Sequence, residues 1–581
     1  MMSGFAGFCD YSDSLLEEKY LWMALARRMA RRISHRGPEG RGAHVSAHCA
    51  AAQCAADSPG NAVQPMTVYR GGQGFTIVYD GKLSNAGELR RDMEAQGVTF
   101  ETGCDAEVVL RAYLCYGESC AEKLEGMYAF AVDDGFDCRT FFCRDRFGAK
   151  PLFYTFQNGR LAFGSEIKAL FEYPGVNPVI GREGLCEVFG LGPFRTPGCG
   201  VFEGVSELKP GHTAVFDRDG FREQAYFQLT AAPHLEDYPE TVERVRELLL
   251  DAGKRALPDD GFPCVVPESG PDAPASGALA ALLASDGNRN LFPDCHAPEE
   301  MTLTGVQSPP AWGTEELADS LFEAVIARDL PGMADAGGSL FQACRLLGKQ
   351  RPTALCGAAG GGLFGLSPWY HREGDFESAG FPWQDCTGSR AALLKPELQE
   401  VLRLEDYTAA CLQETLDSVP VLRGESAQRR RMRRLSYLEL TWFAASRFEF
   451  WDRCGMANGL EMRFPYADRR LVQYVFNIPW ELKCPEGVPG GLLRDAVQVP
   501  LPAGSFPSAP RLPGYGQILR QRLTYILRDS LQPIHKVLSR ESSEALLLEQ
   551  KGREEPWFVR LMAYLIQVNY WLLHYDVYVS L

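Results

Sequence analysis

The chain has 581 residues and a formal net charge of −16, an acidic balance that argues against nucleic acid or an anionic membrane as its main partner. Its length suits two or three domains, each able to bury a core. The 18 cysteines form no CxxC pair and no Cys/His cluster at zinc spacing, and the first residues carry no charged-then-apolar export signal. We therefore expect reduced thiols, no metal site and a cytoplasmic protein. No apolar stretch approaches the roughly 20 residues that span a bilayer.

Short β-type runs, among them GFTIVYD and HTAVF, fill the chain from residue 1 to residue 228, with glycine-containing turns and a few helical segments between them. This pattern predicts a layered α/β or α+β domain over residues 1–228. Residues 229–240 are polar, contain proline and lack periodicity. Such a composition is typical of a linker.

From residue 241 to residue 581 the pattern is helix-rich. Apolar residues recur every three or four positions in TVERVRELLLDAGKRAL, which predicts a helix at the start of this second domain. FPCVV and TALCG are short buried strand candidates, and residues 435–454 and 518–532 are predicted to form long helices. Residues 501–516 are rich in proline, glycine and serine, so we expect an irregular loop there.

Several motifs are shared with a known family. They are GFAGF at residues 4–8, HRGPEG at 35–40, GCDAEVVLRAY at 103–113, RDRFGAKPLFY at 144–154 and FGSEIKAL at 163–170. With these motifs the chain resembles glutamine-dependent asparagine synthetase nearly end to end. The resemblance implies an Ntn-hydrolase-like αββα sandwich, the class II glutamine amidotransferase domain, over residues 1–228. It also implies a helix-rich α/β domain with a parallel sheet, of the adenine nucleotide α-hydrolase (ATP-pyrophosphatase) type, over residues 241–581.

The family's glutaminase nucleophile is a cysteine at the mature amino terminus, whose own α-amine activates the thiol. The position that matches it is Ser3, which follows Met1 and Met2. A hydroxyl is the poorer nucleophile, and Met2 would hinder removal of the initiator methionine unless translation begins at Met2. We therefore favour Ser3 as a solvated residue ahead of the first strand.

The rest of the predicted glutamine pocket is also altered. The family's Asn-Gly-Glu run appears as Asp80-Gly81-Lys82, and the carboxylate of Asp80 would oppose the negative charge that develops during amide cleavage. Gln53 stands where an arginine would clasp the substrate carboxylate. Asp105, which would bind the substrate amino group, is retained, with a helix N-cap as the alternative role.

The resemblance places the pyrophosphate-binding loop of the synthetase half at Glu268 to Pro274, ESGPDAP. Such loops use glycines so that backbone N–H groups can approach phosphate, with hydroxyls as further donors. Ser269, Gly270 and Asp272 remain as a degenerate nucleotide loop. Glu268 adds an anion, and two prolines remove N–H donors.

A second loop, whose acids help to hold the metal–nucleotide in the family, matches Cys356 to Gly362, CGAAGGG. Gly357 persists there, but no carboxylate does, so magnesium finds no ligand side chain. The basic loop that would neutralise pyrophosphate corresponds to residues 504–516, in which Arg511 is the only charge.

Residues that pack are thus retained, whereas residues that react are lost. The leading hypothesis is a pseudoenzyme that acts through binding or assembly and needs no cofactor. The alternative is an active glutamine-dependent asparagine synthetase, or a diverged amide-forming ligase, which would use ATP and magnesium. A third possibility is a sensor of glutamine or another amino acid, with a partial pocket at Gly81 and Asp105.

The resemblance also bears on partners. Family members commonly pair through their amino-terminal domains, and this chain keeps the segments that build that domain. We therefore expect a homodimer, or a heterodimer with an intact paralogue.

Overall fold

The computed structural model describes the following residues: 2–38, 40–56, 64–257, 264–266, 268, 270–286, 313–332, 336–372, 380–384, 387–498, 513–550 and 555–581. Within these ranges, no helix combines the length and the apolar character needed to cross a membrane.

Two six-stranded antiparallel sheets form the first domain. Their strands are β1 (Ser3–Cys9), β2 (Gly40–Val45), β3 (Cys49–Ala55), β4 (Met66–Arg70), β5 (Gln73–Leu83), β6 (Gly126–Asp134), β7 (Arg139–Arg144), β8 (Phe153–Gln157), β9 (Arg160–Gly164), β11 (Val205–Glu207), β12 (His212–Asp217) and β13 (Gly220–Ala225). The first sheet has the order β11-β8-β9-β1-β3-β2, and the second has the order β13-β12-β7-β6-β5-β4.

The two sheets face each other, and a helix layer covers each outer face. Phe5, Phe142 and Phe163 belong to the apolar cluster between the sheets. The helix Lys19–Arg32 packs on β1, β2 and β3, and the helix Asp105–Tyr116 packs on β5. Because β1 is covered on both faces, all of its residues are buried, and it reads as a continuous apolar run. The predicted αββα sandwich is confirmed.

Helices cover the first domain's sheets and dominate the second domain. Those described are Lys19–Arg32, Ala86–Ala95, Asp105–Tyr116, Cys120–Lys123, Ile167–Leu170, Arg182–Cys186, Tyr238–Arg255, Ala273–Ser285, Thr314–Arg328, Ala336–Gly348, Gly360–Leu363, Thr387–Leu393, Pro396–Leu402, Leu404–Asp417, Ala427–Leu438, Ala445–Ala457, Arg469–Asn477, Trp480–Lys483, Gly491–Val497, Tyr515–Arg528, Arg540–Glu549 and Pro556–His574. The π-helical turn Glu439–Ala444 joins two of them into one long run, which contains the helix predicted at 435–454. The helix predicted at 518–532 ends at Arg528.

A helix opens within the predicted linker. It begins at Tyr238, because Asp237 caps it and forms a reciprocal capping box with Glu240. The helix predicted from residue 241 is therefore present and starts earlier.

The second domain contains the predicted parallel sheet in a short form. Strands β14 (Thr353–Leu355) and β15 (Glu461–Arg463) pair in parallel, and Val265 adds one parallel bridge to Leu355. The strand candidate FPCVV thus contributes a single bridge in the part of it that is described. Most of the loop predicted at 501–516 lies outside the described residues.

The two domains are joined by backbone pairing as well as by packing. Strand β10 (Val179–Ile180) pairs in parallel with β16 (Tyr578–Val579). The helix Pro556–His574 also shares one apolar cluster with the first sheet and the helix Lys19–Arg32.

Candidate functional sites

Ser3 opens β1 and lies inside the first domain. Its side chain is not solvated as predicted: the residue is only 4% exposed. The hydroxyl donates to Asp80 Oδ1 at 3.0 Å. The expected nucleophile and the altered pocket residue are therefore in direct contact, and the contact engages the hydroxyl proton of Ser3.

Asp80 is neutralised by two buried cations. Arg36 Nη2 donates to Asp80 Oδ2 at 2.8 Å, and Lys150 Nζ lies 3.7 Å from Asp80 Oδ1. The repulsion of a developing oxyanion, predicted for a lone carboxylate, is thus partly compensated. Asp80 remains an acceptor, however, and supplies no donor to such an oxyanion.

A carboxylate from the second domain completes this network. Asp452 accepts from Arg36 Nη2 at 2.9 Å and from Lys150 Nζ at 2.7 Å. Burial opposes ionisation of Asp452, but the two cations outweigh burial and lower its pKa. Sequence analysis assigned no role to these three residues. Arg36 and Lys150 lie in the quoted motifs HRGPEG and RDRFGAKPLFY, whereas nothing local marks Asp452.

Gly81 has a structural reason to be glycine. Its φ is +150°, and a Cβ there would lie 2.2 Å from the carbonyl oxygen of Met127 on β6. The close approach of two strands therefore requires this residue, whatever substrate the pocket binds.

The two remaining glutamine-pocket candidates contact β5. Gln53 Nε2 donates to the Tyr79 carbonyl at 2.6 Å, so it holds the strand. Asp105 Oδ2 accepts from Leu83 N at 2.8 Å and lies 3.8 Å from Lys82 Nζ. Cys104, not Asp105, is the N-cap of the following helix, and the N-cap alternative for Asp105 is therefore wrong.

In the second domain, Glu268 occupies a closed polar cluster. Its Oε1 accepts from Arg447 Nη2 at 2.8 Å and from Trp451 Nε1 at 3.1 Å. Its Oε2 accepts from Ser276 Oγ at 2.8 Å. The anion that the sequence places in the pyrophosphate loop is thus satisfied by the protein itself. Ser269 lies outside the described residues.

Asp272 turns toward the glycine-rich loop. It ends the turn Gly270–Asp272, and its Oδ1 accepts from Gly361 N at 2.9 Å. Burial, with the nearby charge of Glu268, raises the pKa of Asp272 to about 7. The retained aspartate therefore links the two loops that the family uses for nucleotide binding.

The loop CGAAGGG packs directly against residues 271–276. A Cβ would lie 2.4 Å from Ser276 Oγ at Gly357, 2.3 Å from Ala275 Cβ at Gly360, 2.5 Å from the Pro271 carbonyl oxygen at Gly361, and 2.0 Å from Glu439 Cγ at Gly362. Contacts under about 3 Å are not tolerated without a shift. Gly361 and Gly362 match two of the acidic positions of the family loop, and neither has room even for a Cβ without a shift of its neighbours.

Glu439 is a further buried acid beside this loop. Its Oε1 accepts from Ser367 Oγ at 3.0 Å, and its Oε2 accepts from Trp369 Nε1 at 2.7 Å. Burial raises its pKa to about 8, with a contribution from Asp272. Glu439 and Arg447 could not be recognised from the sequence, since both lie within a helical run whose pattern indicates core.

These residues do not fit magnesium and nucleotide phosphates. Glu268 already pairs with Arg447, and the glycine loop offers no ligand side chain. No group of three or more His, Cys, Asp or Glu suited to a metal ion occurs in the part of the chain that the structure describes.

Comparisons with known proteins agree with this architecture. The glutamine amidotransferase domain family matches residues 2–227, and the asparagine synthase family matches residues 311–573. Asparagine synthetase [glutamine-hydrolyzing] 3 of Bacillus subtilis is 35% identical over 617 aligned positions, which cover 99% of each chain. The chain belongs to the asparagine synthetase family. Members of this family use ATP.

Other relatives are more distant. Asparagine synthetase [glutamine-hydrolyzing] 1 of Bacillus subtilis is 25% identical and covers 82% of this chain and 81% of its own. The solved B. subtilis glutamine phosphoribosylpyrophosphate amidotransferase, complexed with ADP and GMP, has a TM-score of 0.29 at 16% identity. It covers 43% of this chain and 58% of its own. Residues 228–310, which include Glu268 to Pro274, lie outside both matched domain ranges.

Proposed function

We propose that this member of the asparagine synthetase family is a cytoplasmic pseudoenzyme that acts by binding or assembly and needs neither ATP nor magnesium. The observation that carries the proposal is the closed contact between the two loops of the synthetase site. Glu268 pairs with Arg447, and the glycine loop packs on residues 271–276 without room for a Cβ at Gly357, Gly360 or Gly361. Phosphates would have to displace this internal ion pair.

The first domain supports the same conclusion. Ser3 is buried against Asp80, and the cations beside Asp80 are shared with Asp452 of the second domain. Charges that could otherwise bind a substrate carboxylate are therefore engaged within the protein. A buried cluster of charges is stable only when nearly every member is paired. The paired charges of this chain are therefore compatible with a stable fold.

A thermal-shift titration with ATP and magnesium tests the proposal. A ligand at about 100 times its dissociation constant stabilises the folded state by about 2.7 kcal/mol, so a shift in Tm would be easy to detect. We expect no shift with this chain, and a clear shift with a family member whose two loops are intact. A dose-dependent rise at low millimolar ATP would contradict the proposal.

The second candidate is an active amide-forming ligase. It is favoured by the 35% identity, over 99% of the chain, to a protein named asparagine synthetase, and by the retention of Asp105 and Asp272. Incubation with aspartate, ATP, magnesium and either glutamine or ammonia separates the candidates. Asparagine and AMP above background would establish the ligase.

For assembly, we propose a homodimer or a heterodimer with an intact paralogue. The first domain offers an apolar surface at Leu16, Tyr20 and Leu21, and Tyr20 is 87% exposed. Light scattering should give twice the chain mass, and Tyr20→Glu should reduce the assembly to a monomer. A monomeric wild-type chain that captures no paralogue would remove the assembly hypothesis and favour the amino-acid sensor.

A further inference from the structure

Lys483 is a buried lysine without a partner among the residues that the structure describes. It ends the helix Trp480–Lys483 and is 4% exposed. Its ammonium nitrogen makes no hydrogen bond or ion pair with any residue in the described part of the chain. A buried cation is normally paired, because removing an ammonium group from water is strongly unfavourable.

The other buried lysines in the described ranges follow that rule. Lys150 contacts Asp452 and Asp80. Lys168 Nζ lies 2.9 Å from Glu166 Oε2 and 3.2 Å from Asp329 Oδ1. Lys483 departs from this pattern, and it faces a cavity instead of a carboxylate.

Lys483 lines a cavity of about 130 Å³, and most of the other polar residues of its lining are cationic or neutral hydrogen-bonding side chains. Besides Lys483, the polar and charged residues of the lining are His234, Glu425, Arg429, Arg433, Ser436 and Asn477. His234 comes from the segment between the domains, and the others come from the second domain. None of the residues assigned to the two candidate sites lines this cavity, although Tyr370 connects its Ser436 to the carbonyl of Gly362.

The other charges of this cavity are already satisfied. Arg433 Nη2 pairs with Glu425 Oε1 at 2.9 Å, and Arg429 Nε pairs with Glu481 Oε2 at 3.2 Å. His234 Nε2 lies 2.8 Å from Thr241 Oγ1. Because each of the two arginines is paired with a carboxylate, the charge of Lys483 alone is left without a counterpart at the cavity.

The titration of Lys483 agrees with this geometry. Burial lowers its pKa to about 7, the nearby Cys484 raises it, and Arg433 lowers it further. An anion in the cavity would stabilise the charged form of the lysine.

We propose that this cavity binds a small oxyanion, a carboxylate or phosphate group, through Lys483. Charge-assisted hydrogen bonds from an ammonium group to such oxygens are short and strong, and Ser436 adds a hydroxyl group to the lining. The volume suits a small anionic group better than a nucleotide. This site does not depend on the proposed loss of catalysis, because it uses none of the same residues.

Thermal-shift titrations at constant ionic strength test the site. The probes are inorganic phosphate, acetate and glutamate, each compared with chloride, so that the phosphate and carboxylate sources are distinguished. We expect at least one oxyanion to raise the Tm of the wild-type chain saturably by at least about 2 °C. Lys483→Met should abolish the rise, whereas Lys349→Met, at an exposed lysine, should retain it. An equal response in Lys483→Met, or no response of the wild-type chain to any probe, would overturn the proposal.

A second measurement uses the wild-type chain alone, so that it does not depend on how a variant folds. Brief acetylation followed by peptide mass spectrometry reports the reactivity of each lysine. The oxyanion that raises the Tm should reduce acetylation of Lys483 at least about tenfold near saturation and leave Lys349 unchanged. Equal acetylation of Lys483 with and without that oxyanion would contradict a contact between them.

Discussion

Arg36 of the first domain donates to Asp452 of the second domain at 2.9 Å, and both side chains are buried. The same arginine also contacts Asp80. One guanidinium group therefore ties the altered glutamine pocket to a helix of the synthetase domain. Because a buried charge is stable only while it is paired, each domain completes the electrostatics of the other.

Removal of the shared carboxylate should weaken the whole molecule. Asp452→Asn leaves Arg36 and Lys150 short of a charge partner, and breaking a buried pair costs about 3–5 kcal/mol. We expect urea unfolding to show a loss of that size near neutral pH. Asp92→Asn, at an exposed position, should change stability by less than about 0.5 kcal/mol. Similar stabilities of the two variants would show that the network is not needed for stability.

Restoring the nucleophile should not restore glutaminase activity. Ser3→Cys supplies a better nucleophile, but Asp80 still accepts where an amide should donate, and loss of one such donor costs about 3 kcal/mol. We expect no glutamate release above background from the wild-type chain or from Ser3→Cys, with the amino terminus defined by intact mass. Activity in the wild-type chain that Ser3→Ala abolishes would refute this expectation.

The glycine loop should reject even a methyl group. Gly362→Ala places a Cβ 2.0 Å from Cγ of the hydrogen-bonded Glu439, and overpacking of this kind typically costs about 1–3 kcal/mol. The matched control is Gly87→Ala, a helical glycine with open space around its Cβ position. The control should be neutral or stabilise by up to about 1 kcal/mol. A neutral Gly362→Ala would indicate that the loop is free to move away.

The raised pKa of Glu439 predicts a pH dependence. Its pKa is about 8 in the folded chain and near 4.5 ordinarily, so the folded state holds a proton that the unfolded state has lost between these values. The contribution of Glu439 to the free energy of unfolding is therefore greatest below about pH 4.5 and falls as the pH rises to about 8. Glu439→Gln removes the titration, keeps an oxygen that accepts from Trp369 Nε1, and offers an N–H group to the Ser367 hydroxyl oxygen.

The free energy of unfolding of Glu439→Gln, measured relative to the wild-type chain, should rise by at least about 1 kcal/mol from pH 5.5 to pH 8.5. The reason is that one pKa unit corresponds to 1.36 kcal/mol. Urea unfolding at the two pH values measures the difference. A constant offset between the two chains across this range would show that Glu439 is ionised in the folded state.

The layered class of the first domain could be predicted because its strands carry local signals, whereas the αββα order was implied by the resemblance to asparagine synthetase. Continuous apolar runs such as β1 and the motifs around Arg36 and Lys150 mark buried strands and turns without reference to distant residues. The parallel sheet was harder to delimit, because a strand that makes one bridge at Val265 looks the same in sequence as one that extends through a sheet.

The site residues differ in the same way: some of their features are visible in the local sequence, and others depend on contacts that form only in the folded chain. The loss of acids from CGAAGGG is visible in the sequence, but the steric demand for glycine at Gly362 depends on Glu439, which reaches the loop only after folding. The roles of Asp452 and Lys483 likewise depend on neighbours that are far away in the sequence. Periodicity reports which residues are buried, not what they meet.

The parallel pairing of β10 with β16 has a consequence for synthesis of the protein. These strands lie about 400 positions apart in the chain, an interval that a ribosome adding about 5–20 residues per second needs about 20 to 80 s to cover. During that time the nascent first domain lacks both strand β16, the partner of β10, and the carboxylate of Asp452. A chaperone that shields this edge cotranslationally should therefore raise the yield of folded protein more than one that acts after release.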